Sequence, residues 1–150
     1  MTLYSFGYSV EMINNQAIHF QIDNGEKIDF IVVDTTLSEN KPVFLFCQGS
    51  LPYPLFINFE KHGIIMHGGG ISNFDINSIR KYYHLVVISM PHTPMIAEER
   101  NINGSLQYVP DKSKPQEFSL DYLASDNLDN YVKRALHSIE VFITAKMGSK

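Results

Sequence analysis

Gln16 to Ile22, "QAIHFQI", alternates apolar and polar residues, the two-residue period of a strand with one face in a core. Asp23-Asn-Gly-Glu26 follows, and Asn-Gly is a strong hairpin signal because both residues tolerate positive φ. Lys27 to Thr35 reads as the return strand, with Ile28, Phe30 and Val32 on one face and Ile31 and Val33 on the other. The pattern then changes. Val43 to Cys47 and Leu85 to Ile88 are unbroken apolar runs, which suit strands covered on both faces, as in a parallel sheet. Between them, Asn73 to Tyr83 predicts a helix: Phe74, Ile76, Ile79 and Tyr83 have helical spacing, and Asn73 or Asp75 can cap it. Strand, helix, strand is a parallel crossover.

Residues 95–118 are the least regular part, an excursion marked by Asn103-Gly104 and by Pro110-Asp-Lys-Ser-Lys-Pro115. The longest predicted helix follows, from Asp126 to Ala145, with Ser125 as N-cap and Asp126 and Asp129 near the positive end of the helix dipole. Its apolar stripe is Leu128, Val132, Ala135, Leu136, Ile139 and Ile143, and Lys133, Arg134 and Glu140 are expected to face water. Gly148 is a helix stop. The order is β, β, β, α, β, α: an α/β chain with its core beginning near residue 16, read as one domain over residues 1–150. A helix with a broad apolar stripe normally leads to another strand in this architecture, so the pattern reads as interrupted.

Composition narrows the functions. A net charge of −4 argues against a nucleic-acid partner, which needs clustered Lys and Arg. The single cysteine, Cys47, excludes an intrachain disulfide, and its place in an apolar run predicts a buried, inert thiol. No apolar stretch approaches the roughly 18 residues that span a bilayer, and no signal peptide is legible at the start, so a cytoplasmic location is the default expectation.

Candidate chemistry gathers at the end of the strand 43–47. "PVFLFCQGSLPYPLF" (Pro42 to Phe56) drives an apolar run into a polar tip, Gln48-Gly49-Ser50. Together with "HLVVISMP" (His84 to Pro91) and the helix from Asp126, it resembles the N-terminal half of an α/β-hydrolase, with Gln-Gly-Ser in place of His-Gly. The resemblance implies a partial α/β-hydrolase sheet: an antiparallel pair, then strand, helix, strand, helix, in three incomplete layers with sheet order 1-2-4-3. It also implies a serine hydrolase acting on esters or related acyl compounds, in which the tip of the third strand supplies one side of an oxyanion hole. Preorganised N–H donors there stabilise the transition state by about 2.7–4 kcal/mol each. The N–H of Ser50 is the first choice of donor and that of Gly49 the second; Gly49 is expected to let the backbone turn closely without a Cβ. Gln48 braces the loop or touches substrate; Tyr53 and Phe56 read as packing residues, with the lining of an acyl pocket as the alternative; and His92, at the carboxyl end of the fourth predicted strand, reads as a loop histidine, with a substrate wall as the alternative.

The family's nucleophile sits in a G-x-S-x-G turn, and the chain has none, so no triad residue carries over and the 150 residues are expected to be inactive alone. Ser50 lacks a base fixed nearby and reads as a donor, not a nucleophile. His67-Gly-Gly-Gly70 has the letters of a lipase oxyanion motif but leads into the helix at Asn73 instead of following the strand, and reads as a flexible approach. His62 and His67 have no further ligand at useful spacing, so no metal site is expected, and no cofactor. His19, His84 and His137 read as partly exposed structural residues, and Glu98, Glu99 and Arg100 as a solvated loop face. The alternative reading is a small α/β binding or interaction module without catalysis; no Gly-rich phosphate cradle is present to give it a nucleotide. In either case the run Val43–Cys47 forms an apolar edge without charge or Pro, so self-association is expected.

Overall fold

The computed structural model describes residues 11–13, 16–23, 26–33, 39–49, 51–67, 74–114 and 118–148. The main sheet is built from β1 (Glu11–Ile13), β2 (Gln16–Asp23), β3 (Glu26–Val33), β4 (Val43–Cys47) and β7 (His84–Ile88), in the order β1-β2-β3-β7-β4. A second sheet contains β5 (Phe56–Phe59), β6 (Gly63–Met66) and β8 (Ile96–Glu98), in the order β6-β5-β8. The helices are α1 (Ile76–Tyr82), α2 (Leu120–Ser125) and α3 (Leu128–Gly148). The fold is mixed α/β.

The hairpin lies where its pattern predicts. β2 and β3 pair antiparallel from Ala17↔Val32 to Asp23↔Glu26. β4 pairs parallel to β7, from Val43↔His84 to Cys47↔Ile88, while β3 pairs antiparallel to β7. The four predicted strands therefore stand in the expected order 1-2-4-3, with the short β1 added at the outer edge.

Strand alternation splits the core in two. Ile31, Val33, Leu85 and Val87 point to one face and meet Leu55, Phe56 and Met95, with Ile76 and Ile79 of α1 packed against them. Phe30, Val32, Val86 and Ile88 point to the other and meet Val141 and Phe142 of α3. Each such side chain contributes about 1.5–3 kcal/mol when fully buried. The second sheet and α1 thus cover one face of the main sheet, and α3 covers the other.

The second sheet is not among the predicted strands, and its β8 lies inside the expected excursion 95–118. β5 and β6 form a hairpin that turns at Gly63, φ +72°, and β8 joins β5 in parallel. Leu55, Phe56 and Ile57 are buried, so this run packs like a strand. Phe56 is consequently a core residue, in line with the packing reading and not the acyl-pocket alternative. β8 is followed by a short 3-10 turn, Glu99–Asn101, and the Glu98, Glu99, Arg100 cluster is exposed as expected.

Helix starts moved as well. α1 is capped by Asp75, which accepts from the Ser78 N–H at 3.1 Å and the Ser78 hydroxyl at 2.6 Å. The expected single helix from Asp126 is two. Ser119 caps α2 by accepting from the Tyr122 N–H at 3.0 Å. Ser125 is the last residue of α2, not a cap. Asn127 takes that role for α3, accepting from the Asn130 N–H at 2.9 Å. The chain breaks at Asp126, whose ψ of 72° is not helical.

α3 is rotated from the expected orientation: Lys133 and Glu140 face out and Ala135 packs on the core as expected, but other positions exchange. Leu128 is 76% exposed and Leu136 63%, with Val132 and Ile143 also open, whereas Arg134 is 1% exposed. The buried face is Arg134, Ser138, Val141 and Phe142. Near its start α3 lies over strand ends, where the neighbours are main-chain carbonyls that need donors. An arginine satisfies them and a leucine does not. His84, expected to be partly exposed, is fully buried, with Nε2 3.1 Å from the Glu39 carbonyl and its ring against Phe142. Among the described residues, no helix is long and apolar enough to cross a membrane.

Candidate functional site

Because β4 and β7 run parallel, their carboxyl ends share one rim. Gln48 leaves β4 buried, and its Nε2 donates to the Ile88 carbonyl at 3.3 Å, tying the two strand ends together. Its Oε1 is buried with no hydrogen-bond partner among the described residues. Gln48 therefore braces the tip, as expected, and does not stand open as a substrate contact. Gly49 is exposed. A Cβ built on it meets nothing within 4 Å, and its φ lies outside the left-handed region. Among the described residues, then, neither backbone conformation nor contact requires glycine at this position. Ser50, the first-choice donor, lies outside the described residues, as do Gly68, Gly69, Gly70 and Asn73.

The β7 side of the rim is held from α3. Arg134 Nη2 donates to the Ser89 carbonyl and to Ser89 Oγ, both at 3.0 Å, with the Met90 carbonyl at 3.4 Å. Beyond Met90 the chain turns: the Thr93 N–H donates to the Met90 carbonyl at 3.1 Å and Thr93 Oγ1 to the Pro91 carbonyl at 3.0 Å. His92 projects from this turn with φ 47°, a conformation that costs a non-glycine residue strain. It is exposed, and its Nε2 is 3.0 Å from Ser125 Oγ at the end of α2. His92 thus stands on the rim, bonded to α2.

Tyr131 enters the same region from α3. Its hydroxyl lies 3.0 Å from Met90 Sδ and 3.5 Å from the Gly49 carbonyl. Burial, with the Asp126 carboxylate beside it, pushes its pKa up to about 12. The same two causes raise that of Tyr122. Both phenols bond to the Asp126 side chain and stay protonated at neutral pH. Sequence reasoning passed over Arg134, Tyr131 and Asp126, having assigned the arginine to water. The available signal was an arginine at helical spacing among apolar residues.

Tyr53 follows the β4 tip. Its ring stacks at a tilt on that of His67, 5.6 Å between centroids, and no described hydrogen bond or ring contact joins it to Gln48, Gly49 or His92. Cys47 was expected to be buried; it is exposed on the outer edge of β4, packed closely enough that desolvation raises its thiol pKa. At neutral pH it is a thiol and not a thiolate nucleophile. Among the described residues, no group of three His, Cys, Asp or Glu side chains could hold a metal ion. No family model, curated protein or solved structure matches the chain.

Proposed function

We propose that these residues form one side of the acyl-transfer site of a serine hydrolase acting on ester or related small acyl substrates. The observation that supports this most is the parallel register of β4 with β7, ending at Cys47↔Ile88, which brings Gln48-Gly49 and Ser89-Met90-Pro91-His92 onto one rim. Ligands of open α/β sheets bind beyond the carboxyl ends of the strands. When a nucleophilic oxygen attacks a carbonyl carbon there, the π electrons move to the carbonyl oxygen. Under this reading main-chain N–H groups at the β4 tip, with Gly49 the described candidate, receive that charge. The finer reading, a partial α/β-hydrolase sheet, rests on the same strand order.

No G-x-S-x-G occurs in the 150 residues, so under this reading the nucleophile is encoded beyond Lys150. The test is to extend the reading frame and expose both the extended and the 150-residue protein to a fluorophosphonate probe. The reading expects an apolar strand and a G-x-S-x-G turn in the extension, with serine labelling in the longer protein alone. A stop codon directly after Lys150, or an extended protein that is folded and unlabelled, defeats it. The second reading, a non-catalytic interaction module, draws on the exposed apolar face of α3 and gains from the same negative result.

A further inference from the structure

We infer that Arg134 is a positioning residue for the rim: from α3 it clamps the end of β7, and through β7 it sets the tip of β4. It relies on the acyl-transfer reading only for its effect on turnover; the clamp itself stands on geometry.

A buried guanidinium is expensive, and burial alone is weak evidence that a charged group stabilises a fold. What such a group does supply is direction. Nη2 reaches the Ser89 carbonyl, Ser89 Oγ and the Met90 carbonyl, all beyond the last β4–β7 pair, Cys47↔Ile88. The Met90 carbonyl also closes the turn that carries His92 at φ 47°. One residue earlier, the Ile88 carbonyl takes the Gln48 amide, so a fixed β7 end also fixes the residue before Gly49. One side chain thereby orders both strand ends. Placing it there accounts for the rotation of α3, which turns Arg134 and Ser138 inward and leaves Leu128, Val132 and Leu136 outside.

The test is hydrogen–deuterium exchange on the 150-residue chain, comparing segments 45–49 and 88–93 with the distant segment 16–23. Arg134→Met keeps the aliphatic stem and removes the donors; Arg134→Lys keeps the charge and a donor. The expected result for Arg134→Met is faster exchange in both rim segments by about tenfold, consistent with losing more than one net hydrogen bond, with 16–23 unchanged. Arg134→Lys should recover most of that protection. Unchanged rim exchange in Arg134→Met overturns the inference, as does an equal rise in all three segments, or a lysine no better than methionine. Should Arg134→Met fail to fold, Ser89→Ala removes one acceptor; a rise of about threefold confined to the rim, of the order of one hydrogen bond, supports the clamp, and no local rise overturns it. If the extended protein ignores the fluorophosphonate while rim exchange follows the expected pattern, the acyl-transfer reading falls and the clamp stands.

Discussion

Gly49→Ala separates what the fold needs at the β4 tip from what a substrate needs. The added methyl meets no atom of the described residues within 4 Å, and the backbone is not in the left-handed region. The folded state therefore gains no clash and no strain. The unfolded chain loses conformational freedom, which stabilises the protein by about 0.4–1 kcal/mol when the native backbone accepts alanine. At about 2–4 °C per kcal/mol for a domain of this size, the melting midpoint should rise by roughly 1–4 °C. Urea unfolding followed by far-UV circular dichroism gives the free energy, and a thermal scan gives the midpoint. Under the acyl-transfer reading, the same methyl in the extended protein crowds the carbonyl approaching the β4 tip, so the fluorophosphonate labelling rate should fall although stability rises. A loss of stability greater than about 0.5 kcal/mol, the spread of inert surface changes, would refute the structural half. Unchanged labelling would refute the placement of substrate above Gly49.

Further outcomes follow from other parts of the structure. Phe142→Ala removes a buried ring that packs on His84 and on the β3–β7 core, and should cost about 3–5 kcal/mol in urea unfolding. Donation from the Ser78 hydroxyl and N–H holds the Asp75 carboxyl below its ordinary 3.8. The stability it contributes should be complete above about pH 4 and decline in stronger acid as the folded-state carboxyl protonates; acid titration of Asp75→Asn should lack that component. Tyr131 has the opposite sign. With its phenol raised from 10.0 to about 12, its contribution should be complete below pH 10 and lost as pH rises toward 12, an alkaline loss that Tyr131→Phe should reduce. Self-association should be concentration-dependent in sedimentation velocity. Leu136→Glu on the outer face of α3 and Phe44→Lys on the outer strand β4 should each shift the chain toward monomer, and unchanged sedimentation in both would remove these surfaces as its cause.

Local pattern alone determined a good part of this protein. The Gln16–Asp23 and Glu26–Val33 hairpin, the parallel pair Val43–Cys47 and His84–Ile88, and the Asp75-capped helix are all set by side-chain period and turn chemistry, which act over a few residues. The run Leu55–Phe59 was equally apolar and bounded by turn residues, yet its partner β8 lies about forty positions on, and short-range pattern cannot choose a distant partner. Along α3, the periodicity established that a stripe exists from Leu128 to Ile143 but not which way it faces. That was decided only when the sheet placed the Ser89 and Met90 carbonyls under the helix, where a guanidinium satisfies what an apolar side chain leaves unpaired. The same packing of α3 turned Arg134 from a solvent residue into the holder of the rim and brought the Tyr131 hydroxyl to the Gly49 carbonyl. Residue type and spacing are properties of one segment; the direction a segment faces is a property of everything packed against it.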